Sequence, residues 1–331
     1  MTYSSGGLIQ ATDYNGFVST TSGANLNDIY GTGATDKGYG QTPLSTVSAS
    51  STITATQWAS LVNSITAVAN QQGTTITSRS APVAGNTITV LAAMNTDLTN
   101  LTTNRGNAAG TGAQITSWSG SSAKTTNTGS GTNAWTITFT HTIQFASADA
   151  ARYFFNAGGR IKWETNKSST GLLADAEWND LATTLCGDIF ITGRVNGAAQ
   201  TIAGTSYTGT TKSGGTGTPN TLATTTGWYN LSTTDTLLYR QYADTAPYTG
   251  QYIALNAKTA SSGTQLVLTT TWVDPGGSGA GSSDEITGGT DTASPLGSFG
   301  TAPATVVTYF PPSTTYLTAS WGTPTIAASV A

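Results

Sequence analysis

The sequence predicts an α+β protein. A helical anchoring region covers residues 1–105, a Gly/Ser/Thr-rich linker 106–133, and a mainly β body 134–331, antiparallel and sandwich-like with short inserted helices. Three observations carry this. Two N-terminal stretches repeat apolar residues at helical spacing, the period drops to two after residue 134, and beyond residue 196 turn residues separate short β-rich runs. Thr, Ser and Gly make up roughly two-fifths of the 331 residues, and charged residues only 8%, against about 25% in an ordinary domain. With 8 Trp, 13 Tyr and 8 Phe the chain is too aromatic to be disordered.

In Thr56–Gln71 the apolar residues Trp58, Leu61, Ile65 and Val68 share one helical face, Thr54 is placed as N-cap and Gly73 as the stop. Ile88–Asn104 repeats the pattern with Leu91, Met94, Leu98 and Leu101. Two such stripes predict an antiparallel helix pair. They pack on each other within one subunit, or bundle between subunits around a symmetry axis; two heptads are too short to establish a coiled coil. Asp13–Phe17 and Asn25–Tyr30 are short helices, and Gly31–Gly40 is a glycine-punctuated loop. The linker composition of 106–133 is broken by Ile115 and Trp118, so part of it is expected to dock.

Trp135–Phe145 alternates strictly, with Trp135, Ile137, Phe139, His141, Ile143 and Phe145 on one side and mostly Thr on the other, which is a half-buried strand. A short helix follows over Ala146–Asn156 and ends at Gly158 and Gly159, with a strand at Arg160–Glu164. Leu172–Leu185 reads as a helix and Asp188–Val195 as the next strand. The remaining strands are placed at Thr201–Tyr207, Gly227–Asn230, Thr236–Tyr242, Tyr252–Lys258, Gln265–Val273, Thr305–Pro311 and Thr315–Ser320.

Charge and chemistry narrow the function. The net charge is −4 and the 12 basic residues are spread singly, so no nucleic-acid footprint is expected. No apolar run reaches the roughly 18 residues of a membrane span, and residues 1–30 lack a basic segment followed by an apolar one. Cys186 and His141 are each the only residue of their kind, which excludes an internal disulfide and a thiolate metal cage. His141 sits mid-strand on the apolar side, and Cys186 reads as a small buried side chain, so neither is assigned catalysis. Carboxylates able to act in pairs are Asp175 with Glu177, Asp284 with Glu285, and Asp149, none at a spacing that demands two opposed acids. The glycine-rich loop Asp274–Thr292, with Asp284, Glu285 and Asp291, does not match the calcium loop of an EF-hand and reads as solvated turn carboxylates. Gly31, Gly33, Gly214, Gly215 and Gly217 mark turns, since no apolar helix and acidic residue follow as in a dinucleotide fingerprint. No catalytic residue, cofactor or metal is therefore expected.

The run FASADAARYFFNAGGRIKWE (Phe145–Glu164) resembles a motif of structural proteins from tailed bacteriophages, especially T4-like phages of cyanobacteria. ATDYNGFV near the N-terminus, GYGQTPLSTVSASSTITATQW (Gly38–Trp58) and the closing PPSTTYLTASWGTP are similar to segments of the same group. Together they cover about a quarter of the chain, spread over its length. The resemblance implies a virion structural or tail-fibre-like protein without an enzymatic site. Such a protein is assembled in the bacterial host cytoplasm, exposed on the particle, and partnered by other virion proteins and by copies of itself. A receptor- or glycan-binding module is the alternative, and a polysaccharide-degrading tail enzyme a third. Within the motif, Ala150, Tyr153 and Phe154 are expected to plug one end of the sandwich, and Arg152 and Arg160 to pair with Asp149 or Glu164.

Overall fold

A computed structural model describes residues 10–19, 23–85, 92–108, 135–169, 173–193, 199–246, 248–275 and 303–331. Four helices open it: α1 (Ala11–Val18), α2 (Leu26–Ile29), α3 (Ala55–Gln72) and α4 (Ala92–Thr103). The start of α3 is set by a capping box. Thr54 Oγ1 accepts from the Gln57 N–H at 3.2 Å, and Gln57 Oε1 accepts from the Thr54 N–H at 2.8 Å. Its end is set by Gly73, left-handed at φ 63°. The apolar stripe read from the sequence is the buried one: Trp58, Leu61, Val62, Ile65 and Val68 from α3, with Met94, Leu98 and Leu101 from α4.

The expected antiparallel pairing of these two helices is corrected. Gln72 Nε2 donates to the Leu101 carbonyl at 3.0 Å and Asn104 Nδ2 to Thr74 Oγ1 at 3.1 Å, so the C-terminal ends of α3 and α4 meet. The chain leaving α3 doubles back along α4, where the Thr77 N–H reaches Asp97 Oδ1 at 3.2 Å. A connection over 73–91 is long enough to run the length of a helix before α4 begins, so the geometry that short loops force on a helix pair does not apply.

Among the described residues the body is built on two main antiparallel sheets, with a separate two-stranded hairpin. The larger has the order β12-β1-β10-β9-β8-β7, from β1 (Trp135–Gln144), β7 (Thr221–Leu222), β8 (Thr236–Tyr242), β9 (Tyr252–Ala260), β10 (Gln265–Asp274) and β12 (Thr325–Val330). The smaller is β11-β2-β3-β6, from β2 (Arg160–Asn166), β3 (Asp188–Ile191), β6 (Thr210–Ser213) and β11 (Ala304–Phe310). In β1 the odd residues Ile137, Phe139, His141 and Ile143 are wholly buried and face Trp272, Thr270, Leu268 and Leu266 of β10 in register. The even residues stay partly exposed, as the alternation requires. The sheets pack face to face: Trp163 Nε1 of β2 donates to Thr270 Oγ1 at 2.7 Å, and the Trp163 ring lies 5.8 Å from that of Tyr239 in β8.

Between β1 and β2 stands α5 (Ala148–Asn156). The expected helix at Leu172–Leu185 is α6 (Leu173–Asn179) continued by a π-helical turn, Asp180–Leu185. Three strand expectations change. Thr201–Tyr207 folds as a hairpin, β4 (Gln200–Ile202) and β5 (Thr205–Tyr207), reversing at Ala203-Gly204. Gly227–Asn230 becomes a 3-10 turn over Trp228–Asn230, and Thr315–Ser320 is irregular, with β12 forming further on. The short strands β6 and β7 carry no alternation long enough to announce them. The end of the Asp188–Val195 strand, Ile115, Trp118 and the remainder of the linker beyond Ala108, and the start of the helix placed at Ile88 lie outside the described residues.

The apolar residues of the N-terminal helices and of the sandwich form one continuous cluster, running from Tyr14 to Trp321. The first linker residues dock as well: the Ala108 N–H donates to the Thr201 carbonyl at 2.7 Å, and Ala108 joins a second cluster with Phe190, Ile202 and Tyr207.

Candidate functional site

The resemblance-bearing helix α5 is the joint of the molecule. Ser147 caps it by accepting from the Ala150 N–H at 3.0 Å. From Ala150 to Asn156 every residue is buried, so no face is left for solvent. Phe154 and Phe155 pack on Phe145 at 5.4 and 5.9 Å, Phe154 also meets Tyr309 of the small sheet at 6.3 Å, and Phe155 stacks on Trp228 at 5.4 Å. The polar members reach toward the N-terminal region. Arg152 Nη1 donates to the Lys37 carbonyl at 2.6 Å, and its Nη2 to Asp149 at 2.8 Å. Asn156 Nδ2 donates to the Gly38 carbonyl at 2.9 Å, and Gln71 Nε2 of α3 donates to the Ala157 carbonyl at 2.9 Å. The exit turn requires Gly158: its φ is +104°, and a Cβ there would stand 2.4 Å from the Ala108 methyl carbon.

A second set of bonds ties the same segment to the C-terminal loop. Gln41 Nε2 donates to the Thr318 carbonyl and Gln41 Oε1 accepts from the Thr318 N–H, both at 2.9 Å. The Tyr39 hydroxyl donates to the Arg105 carbonyl at 2.8 Å and accepts from Gln72 Nε2 at 2.9 Å. Burial raises its pKa above the ordinary phenol value.

Of the expected arginine pairings, Arg152 takes Asp149 while Arg160 takes neither acid. Its guanidinium lies over three rings, Phe310 at 4.5 Å, Tyr207 at 5.2 Å and Phe190 at 5.6 Å, and Glu164 pairs with Lys162 at 2.6 Å. His141 is wholly buried in the sandwich, and desolvation holds its pKa down at about 4, against the pull of the Thr305 backbone. Cys186 is wholly buried and burial pushes its thiol up to about 12, so at neutral pH it is a packed thiol and not a nucleophile.

Asp284, Glu285, Asp291 and the Asp175 side chain lie outside the described residues. Glu177 meets carboxylates that sequence reasoning did not connect with it. One oxygen from each of Glu177, Asp180 and Asp244 lies within 4.8 Å of the others. Glu177 and Asp180 stand one turn apart along α6 and the π turn, a spacing readable in the sequence, whereas Asp244 comes from the connection between β8 and β9 and left no local signal. Burial pushes the Glu177 carboxyl up, the nearby polar groups of Thr245 oppose the rise, and the charges of Asp180 and Asp244 add to it.

Fold and joint together define an α+β protein in which an antiparallel sandwich and an N-terminal helical region share one core through a buried helix. Comparisons with protein-family models, with curated proteins and with solved structures give no match to this chain.

Proposed function

We propose that this protein is a structural component of a phage virion, in its tail, baseplate, fibre or neck, and that it works as a homo-oligomer assembled by protein–protein contacts. The observation that carries the reading is the fate of the Ala-Arg-Tyr-Phe-Phe-Asn string: Ala151–Asn156 are all buried, and they are spent on joining the N-terminal loop at Lys37 and Gly38 to the small sheet and to Phe145 just beyond β1. A motif consumed in this way supports a scaffold whose distinctive residues set shape. The edge strand β12 is in keeping with assembly, because Thr325–Val330 carries no charged residue of the kind that blocks edge pairing, and its alternate residues Ile326, Ala328 and Val330 are only half-buried. Many identical copies would supply by avidity the strength that one low-charge surface lacks.

The test is to locate the protein on purified particles by antibody labelling and mass spectrometry, and to weigh the isolated protein by mass photometry. The reading expects a fixed copy number in the particle and an oligomer in solution. Absence from particles overturns it, as does a strict monomer present as isolated copies.

One observation favours a second reading, host-glycan binding. On the outer face of the large sheet Tyr242 and Tyr252 pair at 5.1 Å and Arg240 lies 4.9 Å over Tyr252, all three half-exposed, an arrangement able to stack on a sugar. Binding of the isolated protein to host polysaccharide, lost in Tyr252→Ala, would select it.

A further inference from the structure

We infer that Glu177, Asp180 and Asp244 form a binding site for one calcium ion, which ties the turn after α6 to the connection between β8 and β9. The three offer oxygen donors only, the set a hard divalent cation takes. Their oxygens lie within 4.8 Å of one another, inside the roughly 5 Å spanned by two oxygens held at about 2.3–2.6 Å on opposite sides of a calcium ion. Three acids this close are a concentration of like charge, and among the described residues no Lys or Arg pairs with any of them.

A separate observation points to a ligand. Glu177 is only 7% exposed, and its Oε1 is shut off from solvent with no hydrogen-bond partner. A carboxylate oxygen removed from water and left without a donor is rare in folded proteins, because its lost hydration is not replaced. A cation seated between the three carboxylates replaces it. Asp180 is half-buried and Asp244 exposed, so the site opens on one side, where water completes the six to eight oxygens that calcium takes. Thr245, next in the chain, donates its hydroxyl to Asp244 Oδ1 at 3.2 Å. The inference departs from the composition, which points to no metal, because Asp244 joins the other two only through the fold.

Terbium luminescence tests it directly, since Trp178 adjoins Glu177 in the chain and can sensitise a bound lanthanide. The wild-type protein should give terbium emission that calcium displaces with one-site behaviour, and its melting temperature should rise when calcium replaces chelator. Asp244→Asn and Asp180→Asn should each weaken calcium binding by roughly tenfold or more, as loss of a charged ligand does. The double variant Asp284→Asn/Asp291→Asn should bind as the wild type does. No binding at millimolar calcium overturns the inference, leaving a buried protonated carboxyl. It is equally overturned if Asp244→Asn and Asp180→Asn bind normally, or if the Asp284→Asn/Asp291→Asn variant loses the ion. Asp244 is exposed, so its variant reports even where a change at Asp180 disturbs the turn.

Discussion

Tyr229 donates its hydroxyl hydrogen to Asn156 Oδ1 at 2.6 Å, and the same carboxamide donates to the Gly38 carbonyl at 2.9 Å. One side chain thus holds together the 3-10 turn over Trp228–Asn230, helix α5 and the N-terminal loop. Asn156→Ala should strand both partners at once, each at about 1–3 kcal/mol, whereas Tyr229→Phe removes one donor and should cost about 1 kcal/mol. Urea denaturation of the two variants checks the order; equal losses would contradict it.

The two faces of β1 should respond differently to truncation. Phe139 is wholly buried against Trp272, with ring centres 6.5 Å apart, so Phe139→Ala should lose about 3–5 kcal/mol. Thr138 lies on the outer face and is half-exposed, and Thr138→Ala should stay within about 0.5 kcal/mol unless a neighbouring subunit covers it. Melting temperature and soluble yield measure the contrast.

His141 makes stability depend on pH in a defined window. Folded, its pKa is held at about 4; unfolded it titrates near 6.5. Above about pH 6.5 both states are neutral and the full stability is present, whereas between about 6.5 and 4 the unfolded chain takes up a proton that the folded protein refuses. Stability therefore falls as pH falls through that range, by on the order of 3 kcal/mol at most. His141→Phe should fold and flatten this slope. Parallel pH profiles for the two proteins would refute the assignment.

Arg79 and Asp97 form an ion pair whose side chains are each 4% exposed. Asp97→Ala leaves the guanidinium buried and uncompensated, and should cost about 3–5 kcal/mol. The double variant Arg79→Leu/Asp97→Leu should recover most of that loss, because it removes both buried charges. A double variant no better than the single one in denaturant midpoint would mean that the pair itself stabilises the fold.

How much was legible follows from where each signal resides. The α3 cap, the alternation of β1 and the burial of Cys186 rest on local pattern, and the structure bears them out. The course of the chain between α3 and α4 was not legible, because it turns on Asp97 receiving Thr77 and on Gln72 reaching Leu101, pairings between residues far apart in sequence. Strand β12 was missed because TIAASV is short and small, and it is made a strand by its register with Phe139–Gln144. Asp244 was missed for the same reason: nothing near it in the chain mentions Glu177.

The place of β1 in the sheet has a kinetic consequence. Its two neighbours are β10 and β12, which lie more than a hundred residues further along the chain, so neither ladder closes by a local hairpin. During synthesis the aromatic faces of β1 and α5 emerge well before the strands that cover them, and the large loops closed by these ladders make for slow folding. Phe139, Phe154 and Phe155 stay open to wrong partners throughout that interval, so the vulnerable form of this molecule is the half-made chain and not the finished one.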